Sequence, residues 1–529
     1  MKACRLICNA RIHTQASGLV CNSMALFKNR IVAIGNNLQH DRDFRKYEKI
    51  DLKGINVIPG MVDSHVHFYY MALTLGKIRL EATDSVDSCL TKIKQFASRL
   101  KKDEWVVGEG FSPDRFKSET LPDLAMLDKV CGGRPAFIFS KDQHSCWVNS
   151  RALSLASVDY KSADPDGGEI DHDSDGNLTG FLREGPAISL VYRLIPTPKK
   201  QMVDRLYKQA LDIAYRNGVT GIHSFDGPAA LDFWQEKASQ GKVGLRVNHY
   251  PPADLLPRLL DERIYYGRGD EFYRIAGVKI FADGALGSQT ALCFNKYIGS
   301  KGNYGIETTT VAKMKKQLQA ASRLNLPGAI HAIGDKAVDN VLTAFESSPS
   351  LSFGARHRIE HLQLIRRSDV KRLVVAGITA SMQPSHCPAD ILLTRKYWGK
   401  RGANSFIFRT LLDKGIALAF GSDAPIEPLE PIAGISAAVR RSREGRRDSF
   451  YPEQKLTAAE ALFAYTAAPP HAVGQEQCRG YLLPGYPADF VLLDQDITKV
   501  AASKIAATSV LATVLDGRTV YRKSRFTRL

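Results

Sequence analysis

Several features that would place this chain in a special structural class are missing from its sequence. Its 529 residues contain no run of the roughly 18 apolar residues that a membrane-spanning helix needs, and the first residues, MKACRLICNARIH, include no sustained apolar segment of the secretory type. The nine cysteines are scattered and include no C-x-x-C pair, so neither a disulfide framework nor a zinc ribbon is indicated. These absences predict a cytoplasmic protein with reduced thiols and no membrane partner.

Signatures of nucleotide and nucleic-acid binding are also missing. The chain has neither a G-x-x-x-x-G-K-[ST] loop nor a strand-associated G-x-G-x-x-G. Its net charge is +17, with 72 Lys and Arg against 55 Asp and Glu, and a basic surface can attract nucleic acid. The excess is spread along the chain, and its densest cluster, RRSREGRR at Arg440–Arg447, has no interleaved aromatic residues. We therefore expect no nucleic-acid partner; such binding would weaken steeply with salt.

One calcium-like motif is incomplete. The segment DHDSDGNLTGFL, from Asp171 to Leu182, matches an EF-hand loop at its first, third, fifth and sixth positions. The twelfth position of that loop should be a bidentate Glu, but here it is Leu182. We interpret the segment as a polar hairpin turn.

Both ends of the chain are rich in strand-like segments. The N-terminal segments CRLICNARI, SMALFKN, RIVAIG and KIDLKGINVIPG are short apolar or alternating runs broken by Asn, Gly and Lys. The C-terminal segments GYLLPGYPADFVLLDQD and SVLATVLDGRTVYRK have similar runs, and the dipeptide DG is a hairpin signal. This pattern predicts that the two ends of the chain share one sheet.

The middle of the chain alternates between strand and helix patterns. Short apolar segments such as NGVTGIHSFDG, RIAGVKIFADGA, PGAIHAIGD, HRIEHLQL, GITASMQPSH and GIALAFGSDAP are separated by amphipathic runs such as VAKMKKQLQAASRLN and KAVDNVLTAFESS. This alternation predicts an α/β barrel or an open parallel sheet. The rhythm is broken from about residue 70 to 210, which we interpret as an insertion.

Polar residues follow or end these strand-like segments. His65 and His67 in VDSHVHF are two apart, so on a strand they point to one face and can share a metal ion. His331, His361 and Asp423 lie at the ends of later segments. Taken singly, each histidine is more typical of a core or surface histidine than of a ligand, and Asp423 is compatible with a helix N-cap. Together they form one rim at the carboxyl ends of the strands, where active sites of (β/α)₈ barrels are built.

Lys279 lies inside the otherwise apolar segment VKIFADGA. A buried lysine is costly unless a partner compensates it. One interpretation is a salt-bridged or snorkelling lysine. The other is that burial and nearby cations keep the amine neutral and chemically useful.

The order H-x-H, Lys, His, His, Asp resembles the amidohydrolase superfamily. The segments SHVHF, VKIFADGALGSQTA, HAIGDKAVDNVL, RIEHLQL, QPSHCPAD and GSDAPIEPLEPI are similar to its YtcJ-like branch, amidohydrolase family 3, which includes N-substituted formamide deformylases. The resemblance covers nearly the whole chain. It implies a distorted (β/α)₈ TIM barrel and a small β-sandwich built from both ends of the chain, with the sandwich at residues 1–57 and 476–529, the barrel at 58–475 and an insertion at about 70–210.

The resemblance also implies a divalent metal site, and we expect zinc. Its ligand set would be His65, His67, Lys279, His331, His361 and Asp423. Whether one or two ions bind, and whether Lys279 is carbamylated to bridge them, stays open. The implied reaction is hydrolysis of an amide or formamide C–N bond in a small molecule by metal-activated water, with Asp423 as general base and then acid.

Several further residues are weaker candidates for the substrate pocket. His144, Trp147 and Asn149 lie in DQHSCWVNSRAL, where the resemblance suggests pocket lining; the alternatives are a core aromatic for Trp147 and a cap or turn for Asn149. Other candidates lie near the rim: Gln383 and His386 in MQPSHCPAD, His223 in GIHSFDG, and Asp335, which is expected either to orient His331 or to cap the following helix.

Two other functions stay compatible with the sequence. A silent barrel can act as a regulatory or binding protein, because fold alone does not prove catalysis. A cyclic-amide or ester hydrolase would use the same site. A homo-oligomer is also compatible with this kind of barrel, although no interface signature is visible.

Overall fold

The computed structural model describes residues 3–80, 83–111, 122–140, 145–165, 168–352, 354–443, 445–446, 448–524 and 526–528. The chain divides into two compact units, one formed by Met1–Tyr70 with Leu211–Leu529 and the other by Met71–Ala210. In the described part of the chain, no helix is both long and apolar enough to cross a membrane. All nine cysteines are free thiols.

The strands are short and are distributed over the whole chain. The first strands are β1 (Cys4–Cys8), β2 (Arg11–His13), β3 (Val20–Cys21), β4 (Ser23–Phe27), β5 (Arg30–Gly35), β6 (Glu48–Asp51), β7 (Asn56–Pro59) and β8 (Met61–Val66). The second unit contains β9 (Ile78–Arg79), β10 (Val106–Phe111), β11 (Ala136–Ser140), β12 (Ser145–Val148), β13 (Glu169–His172) and β14 (Leu178–Arg183). The remaining strands are β15 (Val219–Ser224), β16 (Arg246–His249), β17 (Tyr273–Ile275), β18 (Val278–Phe281), β19 (Gly328–Ala332), β20 (Arg358–His361), β21 (Thr379–Met382), β22 (Leu418–Phe420), β23 (Phe490–Leu493), β24 (Val510–Leu515) and β25 (Arg518–Arg522).

The helices alternate with the strands of the central region. They are α1 (Phe68–Thr74), α2 (Val86–Ala97), α3 (Leu124–Cys131), α4 (Ser150–Leu155), α5 (Glu184–Tyr192), α6 (Lys200–Arg216), α7 (Ala229–Ser239), α8 (Leu256–Asp261), α9 (Val311–Ser322), α10 (Asp335–Glu346), α11 (Val370–Val375), α12 (His386–Leu393), α13 (Phe408–Asp413), α14 (Pro431–Arg440), α15 (Ala458–Thr466) and α16 (Ala468–Ala472). The amphipathic runs that were predicted to be helical are α9 and α10.

The two ends of the chain share one sheet, as predicted. Its strand order is β25-β24-β23-β7-β2-β3, and β7 pairs antiparallel with β23. A second sheet, β5-β4-β1-β6, contributes to the same hydrophobic cluster, which joins Met24 and Val57 to Phe490 and Val514. The predicted DG hairpin is also confirmed, because Asp516 and Gly517 adopt positive φ angles of 53° and 71° between β24 and β25.

The central region contains two parallel sheets, which confirms the parallel arrangement predicted from strand–helix alternation. Their strand orders are β17-β16-β15-β8 and β18-β19-β20-β21-β22. Backbone hydrogen bonds join the two sheets on both sides. On one side Lys279 donates to the carbonyl of Pro251 (2.9 Å), and on the other Asp423 donates to the carbonyl of His65 (2.7 Å). The carboxyl ends of β8 and β22 are therefore held together.

The second unit is built on a mixed sheet of order β13-β14-β12-β11-β10-β9. The EF-hand-like segment forms the antiparallel hairpin β13–β14, which confirms the interpretation as a hairpin. In the turn, a carboxylate oxygen of Asp173 accepts hydrogen bonds from the backbone N–H groups of Asp175 (3.0 Å) and Asn177 (2.8 Å). The carboxylate thus stabilises a turn.

Candidate metal centre

The site begins at β8, whose carboxyl half is buried and polar. Asp63 and His65 are fully buried there, and His67 follows the strand directly. The carboxylate of Asp63 accepts hydrogen bonds from the backbone N–H of His65 (3.0 Å) and of Ser422 (3.0 Å). This arrangement fixes the end of β8 against the segment that follows β22. The unpaired Asp63 charge is costly inside the protein, so burial raises the pKa of Asp63 to about 7.

Both histidines of the H-x-H motif face Asp423. The Nε2 atom of His65 lies 3.5 Å from Asp423 Oδ1, and the Nε2 atom of His67 lies 3.3 Å from the same oxygen. Potential ligand atoms of His65, His361 and Asp423 all lie within 4.8 Å of one another. The rings of His331 and His361 are 4.6 Å apart between centroids. The structure thus brings the predicted histidines and Asp423 into one cluster.

Each of three histidines has its Nδ1 atom engaged by an oxygen of the protein. His65 Nδ1 donates to Glu360 (2.6 Å). His331 Nδ1 donates to a carboxylate oxygen of Asp283 (3.0 Å), and His361 Nδ1 donates to the amide oxygen of Gln383 (2.8 Å). With Nδ1 as the donor, the lone pair of each ring lies on Nε2. This is the arrangement in which a metal-binding imidazole is oriented by an outer partner.

The electrostatics of the cluster favour neutral imidazoles beside a charged carboxylate. Burial, with the positive charge of Lys279, lowers the pKa of His65 to about 4. Burial also places the pKa of His361 well below its usual value. Burial alone would raise the pKa of Asp423, but the hydrogen bond from His67 and the neighbouring His rings outweigh it and hold this pKa well below its usual range. Neutral imidazole and carboxylate are the forms that bind a metal ion.

Lys279 lies next to the histidine cluster and is almost fully buried, at 3% exposure. Its Nζ atom lies 5.0 Å from the ring centroid of Phe225 and 4.7 Å from that of Phe281. The ring of Phe225 stacks on His65, with centroids 4.2 Å apart. Burial lowers the pKa of Lys279 to about 8, so a fraction of the amine is neutral near neutral pH. Among the residues that the structure describes, the amine has no hydrogen-bond partner.

A buried ion pair between Arg358 and Glu360 supports the histidine cluster, and its role was not predicted from the sequence. Arg358 and Glu360 are both fully buried, and Arg358 Nε donates to Glu360 (2.5 Å). Arg358 also donates to the backbone carbonyl of Ser64 and to Ser381 Oγ. Two charged residues inside the strand-length segment RIEH were an available signal, because lone charges are rarely buried without partners.

Asp283 is a third supporting residue that was not predicted from the sequence. Besides binding His331, its carboxylate accepts hydrogen bonds from the backbone N–H groups of Ile333 (3.1 Å) and Gly334 (2.8 Å). The expectation that Asp335 orients His331 is therefore wrong; Asp335 is the first residue of α10 and accepts from the backbone of Phe294 (3.0 Å). The available signal was the carboxylate that follows Lys279 by four residues.

The weaker candidates have different outcomes. Trp147 is fully buried between Phe111 and Phe181 and donates to a backbone carbonyl, and Asn149 caps α4 through its amide oxygen. These are the core and cap roles that the sequence had left open, so neither residue is retained in the proposed site. His144 lies outside the described residues.

Three rim candidates are within or beside the cluster. Gln383 holds His361, and its Nε2 atom has no partner among the described residues. His386 Nε2 lies 3.8 Å from Asp423 Oδ2. His223 is fully buried and its Nδ1 contacts Arg358 at 2.7 Å, so it belongs to the supporting network.

The donor set fits a bound divalent metal ion. The Nε2 atom of His65 and the amine of Lys279 are buried polar atoms without a hydrogen-bond partner in the described part of the chain, and buried polar atoms are ordinarily satisfied. Imidazole and carboxylate ligands suit zinc and neighbouring transition metals. The cluster thus defines an α/β protein with a candidate metal centre at the carboxyl ends of parallel strands.

The chain belongs to the amidohydrolase family, whose sequence model matches residues 48–521. YtcJ of Bacillus subtilis is 31% identical over 489 residues, which are 90% of this chain and 91% of that protein. LONG AFTER FAR-RED 3 of Arabidopsis thaliana is 31% identical over 538 residues, 98% of this chain and 91% of that protein. The N-substituted formamide deformylase of Arthrobacter pascens is 24% identical over 554 residues, 98% of each chain.

Two solved structures are similar over most of the chain. An uncharacterized metal-dependent hydrolase from Pyrococcus horikoshii OT3 matches with a TM-score of 0.80 and 25% identity, covering 94% of this chain and 99% of that one. An uncharacterized metal-dependent hydrolase from Pyrococcus furiosus matches with a TM-score of 0.78 and 26% identity, covering 93% of this chain and 99% of that one. The resemblance to the YtcJ-like branch is thus confirmed. Family and neighbours support a hydrolase with a divalent metal and a small-molecule substrate.

Proposed function

We propose that this protein is a metal-dependent amidohydrolase that cleaves an amide or formamide C–N bond in a small molecule. The metal ion, which we take to be zinc, would be held by residues of the predicted set: His65, His67, Lys279, His331, His361 and Asp423. When bound there, the ion would act as a Lewis acid towards the scissile carbonyl and acidify a water molecule.

One observation carries the proposal. His65, His331 and His361 are each tied through Nδ1 to a carboxylate or amide oxygen. This leaves the Nε2 lone pairs available in a buried cluster, in which potential ligand atoms of His65 and His361 lie within 4.8 Å of Asp423 and the His331 ring lies 4.6 Å from that of His361. Imidazoles that are oriented through Nδ1 and leave Nε2 available beside a carboxylate are the arrangement typical of metal-binding histidines.

The role of proton carrier falls to Asp423. Its low pKa keeps it ionised at neutral pH, so it can accept the proton of the attacking water and then deliver it to the leaving nitrogen. His67 and His386 flank its two oxygens, at 3.3 Å from Oδ1 and 3.8 Å from Oδ2. These rings hold the carboxylate in place during both transfers.

The finer description of the fold belongs to the same proposal. The strands β8, β15, β16 and β18–β22 supply eight parallel strands for a distorted (β/α)₈ barrel, with β17 paired at the edge of β16. The sheets formed by both ends of the chain correspond to a β-sandwich. We keep the boundaries 1–57, 58–475 and 476–529, with an insertion at about 70–210, and a cytoplasmic location, as predictions.

The number of ions and the state of Lys279 form a further part of the proposal. A neutral buried amine can react with CO₂, which would give a carboxylate that bridges two ions. Mass spectrometry of the intact protein and of peptides prepared at neutral pH tests this modification, because the carbamate adds one CO₂ and is lost in acid.

Metal content decides the proposal most directly. Plasma mass spectrometry of protein purified without chelator is expected to find about one or two equivalents of a transition metal. His65→Ala and Lys279→Ala should lose it, whereas His40→Ala, which removes an exposed histidine, should keep it. A folded protein that binds no zinc, manganese or iron on reconstitution contradicts the catalytic proposal and favours a regulatory binding role.

Asp423→Asn tests the chemical step in the same preparations. Asn tolerates the left-handed backbone of this position, where φ is 61°. We expect turnover of a formamide or amide substrate to fall at least about 100-fold, while exposed Asp254→Asn has no effect. Unchanged turnover in folded, metal-loaded Asp423→Asn excludes the role given to this carboxylate.

A further inference from the structure

The rim of the candidate centre is apolar where the chain leaves the strands that carry the proposed ligands. Tyr70 follows His67 by three residues, Phe281 follows Lys279 by two, and Ile426 follows Asp423 by three. All three are exposed, at 40%, 43% and 68% respectively. Exposed large apolar side chains at the mouth of a site are typical of surfaces that bind a ligand.

Phe281 is the residue of this group whose contacts reach the cluster. It is the last residue of β18 and pairs in register with His331 of β19. Because residues two apart on a strand point to the same face, Phe281 lies on the face of Lys279, one step nearer the carboxyl end. Its ring centroid is 5.4 Å from that of His331 and 4.7 Å from Lys279 Nζ.

The solvent-facing side of the cluster is next to this ring. His67 and Asp423 are only partly accessible, with 26% and 10% of their side chains exposed, and His331 is 10% exposed. A substrate whose carbonyl reaches these groups therefore has its substituent close to Phe281.

We propose that Phe281 determines specificity for substrates whose group on the scissile amide is uncharged and apolar, either aryl or alkyl. The inference rests on the proposed C–N hydrolysis and adds the class of substrate. The Phe281 ring would pack against that group, and its face and edge suit another aromatic ring. An anionic substituent gains nothing from packing on this ring, because its charge would lose its hydration there.

Two formamides with the same scissile bond test the inference. N-phenylformamide carries an uncharged aryl group, and N-formylglycine carries a carboxylate. For the metal-loaded protein we expect kcat/KM to be at least about tenfold higher for N-phenylformamide. Phe281→Ala should lower that value about tenfold and leave N-formylglycine unchanged, and Phe281→Leu should have a smaller effect. Metal content is measured for every variant.

Phe463→Ala is the matched control, because Phe463 is 40% exposed but lies on α15. Phe463→Ala should leave kcat/KM unchanged for both N-phenylformamide and N-formylglycine. A preference for N-formylglycine, or equal losses with both substrates in Phe281→Ala, overturns the inference and leaves C–N hydrolysis standing. If neither formamide is hydrolysed, the proposed function is what fails. Binding of aniline to the metal-loaded protein, measured by calorimetry, then decides the inference about Phe281. Weaker aniline binding in Phe281→Ala but not in Phe463→Ala supports the inference. Equal aniline binding by the parent and Phe281→Ala refutes it.

Discussion

Single side chains at the candidate centre are held in conformations that a free chain rarely adopts. His361 and Asp423 have φ angles of 70° and 61°, in the left-handed region that is costly for residues other than glycine. Backbone contacts hold them there: Asp423 N donates to His65 O (2.7 Å), and Leu362 N donates to Glu360 O (3.0 Å). The surrounding hydrogen bonds thus orient two proposed ligands before any ion binds, which lowers the cost of ordering them.

Glu360 should be the most sensitive position outside the proposed ligand set. Glu360→Gln keeps the size of the side chain but leaves Arg358 as a buried cation without its carboxylate. We expect the free energy of unfolding of the metal-free protein to fall by about 3–5 kcal/mol and zinc affinity to fall about 10–100-fold. Denaturant titration and competition with a chelator measure the two effects.

The matched control is Glu346→Gln. Glu346 also pairs with an arginine, Arg372, but it is 45% exposed. Because exposed ion pairs contribute little, its loss should cost less than about 1 kcal/mol and leave zinc affinity unchanged. Equal effects of the two substitutions would contradict the role given to Glu360.

Strands and helices determine which residues can meet. The short parallel strands end at one edge, so β8, β18, β19, β20 and the segment after β22 present their polar residues together. The contact between β8 and the segment after β22 is especially close. A Cβ atom on Gly421 would lie 2.4 Å from the backbone nitrogen of His65 and 2.7 Å from Asp63 Oδ1, distances that only a glycine avoids.

Gly421→Ala should therefore damage the centre without altering a proposed ligand. The added methyl group would push the end of β8 away and misplace His65. We expect loss of bound metal and a lower free energy of unfolding, as seen by plasma mass spectrometry and denaturant titration. Gly302→Ala is the control, because nothing lies within 4 Å of the added methyl group there. Full metal content in Gly421→Ala would show that β8 can shift without loss of the site.

Across the chain as a whole, histidines outside the proposed ligand set are also shielded from water: His249 is fully buried, and His357 is partly buried. Burial lowers the pKa of His249 to about 3 and that of His357 to about 4. Both are neutral in the folded protein and titrate near pH 6.5 once unfolded. Their stabilising contribution is therefore complete above pH 6.5 and is lost as the pH falls towards 4. Asp63, with its raised pKa, acts in the opposite direction.

A comparison of variants isolates this effect. Between pH 7 and pH 5, His357 should account for a loss of about 2 kcal/mol in the free energy of unfolding. His357→Gln should lose about 2 kcal/mol less over this range than the parent, even if its stability at pH 7 is lower. His40→Gln, which changes an exposed histidine, should follow the parent curve. Parallel curves for His357→Gln and the parent would contradict the conclusion that His357 is neutral in the folded protein.

Much of the architecture is encoded in local patterns. The strand segments around His65, Lys279, His331 and His361 were recognisable because each is a short apolar run bounded by polar residues, and the two β-rich ends were recognisable for the same reason. The family resemblance, carried by motifs in a fixed order, was confirmed over residues 48–521. These are properties of consecutive residues, so the sequence alone reveals them.

Partnerships between distant residues were decided only by the tertiary structure. The contacts of His65 with Glu360 and of His331 with Asp283 span 295 and 48 residues, and nothing local separates Asp283 from Asp335 as the partner of His331. Trp147 and Asn149 looked equally suited to a pocket or to a core until packing placed them in the second unit. Local sequence sets which elements form, whereas burial and long-range hydrogen bonding decide which side chains meet.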